Sequence, residues 1–193
     1  AAQEGQVVEL GGVEDDGRTL ATAVATQAQA RPGGQDRVDP AHAESQVRHG
    51  DAEGRGPAGD IGRRLTDEGR LALEAAYPKA FKPLRDATSL ALWASPAIRA
   101  MQTAAVIADA LGLGEDDINV RNSLYEQDQE EFLAELAQAS DEIIVAVGHV
   151  PFMRHVVHYL AGLDVGFSKG EVRAIGFEGD GLTGGRVLWT VEP

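Results

Sequence analysis

The chain has 193 residues, a hydrophobic fraction of 43% and a formal net charge of −14. This length fits one domain with a substantial core, and so acidic a surface disfavours nucleic acid as a partner. There is no cysteine, which excludes disulfides, thiolate catalysis and zinc–thiolate sites. No apolar run reaches membrane-spanning length and no signal segment opens the chain, so we expect a cytoplasmic protein that does not contact membranes.

The first 44 residues differ in composition from the rest of the chain. The stretch QVVEL could be a short strand, RTLATAVATQAQA predicts a weak helix, and RPGGQDRVDP is typical of a loop. Their apolar content is thin and consists mostly of alanine and valine. We therefore interpret residues 1–44 as an N-terminal extension that could be mobile, and residues 45–193 as the main domain.

Regular patterns begin after Arg64. The stretch LTDEGRLALEAAY predicts a helix with Thr66 as its N-cap, because two acidic residues and an apolar side follow. Further helices are predicted in SPAIRAMQTAAVIADALG, DQEEFLAELAQA and PFMRHVVHYLAG, and strands in ATSLALWAS, INV, EIIVAVGH, EVRAIGFEG and GGRVLWTVE. This alternation predicts an α/β fold, a three-layer α/β/α sandwich with a mostly parallel central sheet.

Polar side chains follow three of the predicted strands directly. The strand QV continues into Arg48-His49, LALWA continues into a segment that contains Arg99, and IIVAV is followed by His149. Because parallel strands bring their carboxyl ends to one edge of a sheet, we expect these two arginines and two histidines to converge.

This set of side chains suits phosphoryl transfer through a histidine. A neutral imidazole can accept a phosphoryl group and then release it to water. Arginine forks and a second histidine provide the donors that the phosphoryl oxygens need. We expect this chemistry to proceed without a metal ion or another cofactor.

Four motifs occur in order along the chain: RHG, LTxxG, SPxxRxxQT and GH. Over roughly residues 45–193 the sequence resembles the histidine phosphatase superfamily, and within it the small phosphohistidine phosphatases of the SixA type. The resemblance implies a phosphoglycerate mutase-like fold with His49 as the nucleophile that becomes phosphorylated. It also implies that Arg48, Arg99 and His149 bind the phosphoryl group.

The general acid is open at this stage. The resemblance places Asp60 near the mouth of the pocket, and Glu126 in SLYEQD is a second candidate. A phosphohistidine substrate has an imidazole leaving group, which needs less help from an acid than an alkoxide does.

The spacing of the motifs favours a phosphorylated protein as the substrate. About fifty residues separate Arg99 from His149, and the predicted helices and strand already occupy them. The large cap that mutases and small-metabolite phosphatases of this superfamily usually carry is therefore not expected. The alternatives are a broad-specificity phosphomonoesterase acting on small molecules, or a phosphate-binding module of the same fold without activity.

Two other features are given structural interpretations. His155 and His158 have the i, i+3 spacing of half a metal site, but no third ligand is evident, so we predict no metal there. The run DPAHAESQV that leads into RHG is polar for a central strand. Either that strand is short, or QVVEL supplies part of the packing, or the residues before about 45 are not a continuation of this domain.

Overall fold

The computed structural model describes residues 19–23, 52–54, 56–87, 89–177 and 182–193. In these ranges the helices are α1 (Asp67–Ala80), α2 (Ile98–Leu111), α3 (Asn122–Glu126), α4 (Gln129–Gln138) and α5 (Phe152–Ala161). The strands are β1 (Thr19–Ala23), β2 (Leu90–Ala94), β3 (Ile118–Val120), β4 (Ile143–Val147), β5 (Val172–Gly176) and β6 (Arg186–Val191).

Three strands pair in parallel to form one sheet, in the order β3-β2-β4. Every residue of β4 is buried, as expected of a continuous apolar run that is covered on both faces. The five predicted strands that fall in the described ranges after residue 87 are confirmed, each within a few residues of its predicted ends.

A second set of strands, in the order β1-β5-β6, pairs antiparallel. Cα atoms of β1 also lie within 8 Å of β4, which places the two sets side by side. The α/β fold predicted from the sequence is confirmed, with parallel pairing in β3-β2-β4 and antiparallel pairing in β1-β5-β6.

Side chains alternate across β2 and β4, and the alternation produces three layers. Leu92 and Val145 face a core shared with α1 and α2. Their neighbours Trp93 and Ile144 face the opposite core, which α4 and α5 cover. The two clusters therefore pack helices against both faces of the strands.

The helix ends follow local chemistry. Thr66 caps α1 as predicted, with its Oγ1 accepting from the N–H of Gly69 at 3.1 Å. Gly112 ends α2 at φ +78°, a conformation that glycine adopts without strain. The helix predicted in SPAIRAMQTAAVIADALG begins at Ile98, two residues after Pro96.

In the part of the chain that the structure describes, no helix is both long and apolar enough to cross a membrane.

The weak helix predicted in RTLATAVATQAQA is wrong at Thr19–Ala23, which form strand β1. Pairing with β5 supplies backbone hydrogen bonds that outweigh the modest helix propensity of this stretch.

The short helix α3 was not predicted. The stretches QVVEL and DPAHAESQV lie outside the described residues, and the domain boundary at residues 44 and 45 stays a prediction.

Candidate active site

The candidate site lies at the carboxyl ends of β2 and β4. Ser95 follows β2 directly, and its N–H donates to the carbonyl of Val147, the last residue of β4, at 3.0 Å. His149 comes two residues after β4 ends, and Arg99 is the second residue of α2. The parallel pairing of β2 with β4 is therefore what brings Ser95, Arg99 and His149 together.

The imidazole of His149 is buried and contacts three side chains. Its Nε2 lies 2.7 Å from Oγ of Ser95, and its Nδ1 lies 3.3 Å from Nη2 of Arg99. The ring of Tyr125 meets it edge-on at 6.2 Å between centroids. Burial, together with the positive charge of Arg99, lowers the pKa of His149 to about 4, so the ring is neutral at pH 7.

Asp60 is held between two buried guanidinium groups. Arg99 donates to both the carbonyl of Asp60 and its Oδ2, the latter at 2.7 Å. Arg63 donates from Nη1 to Oδ1 at 3.2 Å. Partial burial raises the pKa of Asp60, but the hydrogen bonds and charges of Arg99 and Arg63 outweigh it and leave that pKa below its usual value. Burial lowers the pKa of Arg99, and Asp60 opposes that effect.

The loop that carries Asp60 is fixed across the start of α2. The backbone N–H of Arg99 donates to the carbonyl of Arg63 at 3.1 Å, which satisfies a donor that the first turn of a helix leaves unpaired. The Nε of Arg63 in turn donates to the carbonyl of Glu53 at 2.9 Å. Arg63 therefore ties together the loop, Asp60 and the helix that presents Arg99.

One donor of the site is unsatisfied. The Nε of Arg99 is buried and has no hydrogen-bond partner among the described residues. A buried guanidinium N–H without an acceptor is unusual, and an anionic oxygen satisfies it at the least cost. The arrangement can therefore bind an anion beside His149.

The structure brings together three of the predicted site residues, Arg99, His149 and Asp60. The other candidate acid, Glu126, is the last residue of α3 and carries an exposed side chain. Arg48 and His49 lie outside the described residues, so their roles stay predictions.

Sequence reasoning missed three residues that contact this set. Ser95 stood in the quoted SPxxRxxQT motif, and its position directly after a buried strand was the signal available. Tyr125 is next to the candidate Glu126, but only the turn of α3 shows which of the two faces His149. Arg63 is one of several arginines in GRRLTDEGR, and nothing in the sequence distinguishes it.

Among the residues that the structure describes, no group of three or more histidine, cysteine, aspartate or glutamate side chains could hold a metal ion. His158, one of the two histidines with metal-like spacing, has its Nδ1 3.0 Å from Oδ1 of Asp164 on the surface.

The comparisons with known proteins concern the family and the fold. Residues 46–132 match the model of the histidine phosphatase superfamily, branch 1. No relative was found among curated protein sequences.

Three solved structures share the fold. The chain is similar to the SixA protein from Agrobacterium tumefaciens, with 22% identity over 76% of this chain and 95% of that chain and a TM-score of 0.60. It is similar to a protein histidine phosphatase SixA complexed with tungstate, with 21% identity over 75% and 92% of the two chains and a TM-score of 0.58. The chain is also similar to a mycobacterial glucosyl-3-phosphoglycerate phosphatase, with 14% identity over 89% of this chain and 97% of that chain and a TM-score of 0.55.

The fold is thus that of the histidine phosphatases, and the family match supports a phosphatase. The motifs indicated a resemblance to the SixA type, and two SixA structures are among the neighbours that share the fold.

Proposed function

We propose that this chain is a phosphohistidine phosphatase that works through a covalent phosphohistidine on His49 and needs no metal ion. The observation that carries the proposal is the contact between Arg99 and His149 at the carboxyl edge of the sheet, with the Nε of Arg99 buried and unpaired. A buried guanidinium N–H without an acceptor, next to a buried imidazole, suits an oxygen of a phosphoryl group.

The reaction has two steps. In the first, a ring nitrogen of His49 attacks phosphorus and the bond from phosphorus to the substrate imidazole breaks; that imidazole already carries a proton on its other ring nitrogen and so leaves as the neutral ring. In the second, water attacks the phosphoryl group on His49, which releases inorganic phosphate and the free imidazole. The phosphoryl group is anionic throughout, so the guanidinium of Arg99 stabilises every state, and most of all the transition states.

The elements between α2 and β4 support a protein substrate. All residues from 100 to 148 are described, and α2, β3, α3 and α4 with their short connections account for them. Between residues 100 and 148 this leaves no segment that could form a separate cap, and a site without a cap suits a side chain presented by another protein. The phosphorylated partner is therefore proposed to be a phosphohistidine-bearing signalling domain.

A trapping experiment tests the nucleophile. Phosphoramidate or a protein phosphorylated on histidine with labelled phosphate is mixed with the enzyme and quenched at alkaline pH, where phosphohistidine survives. The label is expected on His49, and it should disappear in His49→Asn but persist in His155→Asn, an exposed histidine on α5. Wild-type turnover by His49→Asn would contradict the proposal.

A substrate panel then separates the substrate classes. Phosphohistidine protein, phosphoramidate, an aryl phosphate and sugar phosphates are compared by kcat/KM with one enzyme preparation. We expect the two P–N substrates to be preferred. Preference for a sugar phosphate would instead identify a small-molecule phosphomonoesterase, and anion binding without turnover of any substrate would identify a non-catalytic module.

A further inference from the structure

The two ring nitrogens of His149 have partners of different kinds, and the difference fixes the tautomer. A guanidinium is only a donor, so the Nδ1 that faces Nη2 of Arg99 must present its lone pair. The neutral ring then carries its proton on Nε2 and donates it to Oγ of Ser95 at 2.7 Å. The opposite tautomer would place two N–H donors against each other at Arg99.

Ser95 is well placed to hold that proton. It is fully buried, and its N–H is fixed on the carbonyl of Val147. Its Oγ also lies 3.3 Å from the N–H of Ala97, which donates to it. The hydroxyl oxygen therefore accepts from the backbone as well as from His149, and these two hydrogen bonds fix the orientation of its lone pairs.

A bound phosphoryl group would require the other nitrogen to change. An anionic oxygen placed beside Arg99 meets the lone pair of Nδ1, which repels it unless that nitrogen gains a proton. Among the residues that the structure describes, the titratable and charged groups that face His149 are Arg99 on α2, Asp60 on the loop before α1 and Tyr125 on α3. Burial and the charge of Arg99 disfavour the extra proton, whereas Asp60 favours it, and the negative charge of an incoming anion would shift the balance toward protonation.

We propose that Ser95 is a positioning residue that keeps the proton on Nε2 of His149 in both the neutral and the charged ring. Nδ1, the nitrogen beside Arg99, is then the only one that gains and loses a proton, and it becomes a donor to the phosphoryl group as that group binds. The anionic oxygen accepts from both Nδ1 and Arg99, which offsets the repulsion that these two donors would have in the empty site. The tautomer follows from the contacts alone, whereas the phosphoryl step rests on the proposed function.

Nitrogen NMR of the full chain tests the tautomer directly. With ¹⁵N-labelled histidine and the His149→Gln variant for assignment, the wild-type protein at pH 7 should show a protonated Nε2 and an unprotonated Nδ1 at His149. Saturating inorganic phosphate should convert Nδ1 to the protonated form. A wild-type ring protonated on Nδ1 and not on Nε2 would overturn the proposal without any variant having to fold.

Variants then test the role of Ser95. Ser95→Ala should give a mixture of tautomers and bind inorganic phosphate about tenfold more weakly, and Ser95→Thr, which keeps the hydroxyl, should restore both properties. The matched control is Ser89→Ala, which removes a bonded hydroxyl just before β2 begins, at the other end of that strand. Unchanged tautomer and unchanged phosphate binding in Ser95→Ala would contradict the proposal. A wild-type protein that shows the expected NMR signals but no turnover would support the role of Ser95 and contradict only the phosphatase activity.

Discussion

Asp60 accepts from both terminal nitrogens of Arg99, through its carbonyl and its Oδ2, while the Nε of Arg99 has no partner among the described residues. An acidic residue thus takes up most of the fork of the arginine that the resemblance assigns to the phosphoryl group. The carboxylate keeps two buried cations compensated, and it also competes with any anion that approaches Arg99. Because Asp60 has these two effects on Arg99, we do not expect it to act as a simple proton donor.

Asp60→Asn should strengthen anion binding while it weakens the fold. The amide keeps the shape but removes the negative charge from Arg63 and Arg99, so inorganic phosphate should bind severalfold more tightly. The free energy of unfolding should fall by about 1–3 kcal/mol, because charge-assisted hydrogen bonds to partly buried groups are lost. Isothermal titration with phosphate and urea denaturation measure the two effects. Asp86→Asn, on an exposed turn, makes the same charge change and should alter neither; weaker phosphate binding in Asp60→Asn would contradict this interpretation.

The two candidate acids are expected to contribute little to phosphoramidate hydrolysis. The pKa of Asp60 lies below its usual value because of Arg99 and Arg63, so the group holds no proton to donate at pH 7. Glu126 is exposed at the end of α3. Asp60→Asn and Glu126→Gln should each keep kcat for phosphoramidate within about tenfold of the wild type, well short of the roughly hundredfold or greater loss typical when a general acid is removed. A larger loss in one variant, confined to turnover and absent from phosphate affinity, would identify that residue as the acid.

Arg99→Lys should abolish most of the activity while the protein stays folded. Lysine keeps the charge and can still pair with Asp60, but it lacks the planar fork whose Nε is unpaired in the site. We expect kcat/KM for phosphohistidine protein to fall by roughly 100- to 1,000-fold, in the range found when one preorganised donor to a transition state is removed. Arg70→Lys, an exposed pair with Glu74 on α1, is the control and should be unaffected. If Arg99→Lys and Arg70→Lys had the same kcat/KM, Arg99 would not belong to the active site.

The stability of the protein should rise with pH between about pH 4 and pH 6.5. The pKa of His149 is about 4 in the folded protein, so the unfolded chain, with its ordinary value near 6.5, binds more protons in that window. The buried neutral ring therefore contributes stability that is present above pH 6.5 and is lost as pH falls toward 4, by about 3 kcal/mol in all. Asp60 acts in the same direction, but only at pH values below its ordinary one. Urea titrations at pH 7 and pH 4.5 measure the difference, and His149→Gln should make it smaller; an equal difference in that variant would place the titrating group elsewhere.

The repeating units of the fold could be predicted from the sequence, because hydrophobic periodicity and capping residues are local signals. LALWA, IIVAV and the cap Thr66 lie where those signals put them. The strand at Thr19–Ala23 could not be predicted, since its pairing with β5 joins residues about 150 positions apart and no local pattern encodes it.

The same division applies to the site. Arg99 and His149 could be placed together because each follows a strand, and parallel strands align their ends. Arg63 could not, because its role depends on the path of a loop and on a carbonyl of Glu53. Ser95 lay inside a motif that was already recognised, yet only the distance to Nε2 of His149 distinguishes it from an ordinary residue at the end of a strand.

Gly148→Ala should displace His149. A Cβ at this buried position would lie 2.6 Å from Sδ of Met153 and 3.3 Å from a methyl group of Leu124, so the strand end or the methionine must move. Overpacking of this kind costs about 1–3 kcal/mol, and a shift of the neighbouring imidazole should lower kcat/KM by roughly tenfold to a hundredfold. Urea denaturation and steady-state kinetics measure both effects.

A double-mutant cycle shows whether that loss comes from the contact with Met153. Met153→Ala opens the space that the new methyl group needs, so the two changes together should cost less than the sum of the single changes. Gly114→Ala is the control, because its Cβ would meet only atoms at ordinary contact distances, 3.5 Å or more. Because Gly148 directly precedes His149, kinetic recovery in the double variant would show that the imidazole must sit against Arg99 and Ser95 for activity. Additive losses would instead assign the effect of Gly148→Ala to the backbone of the strand end itself.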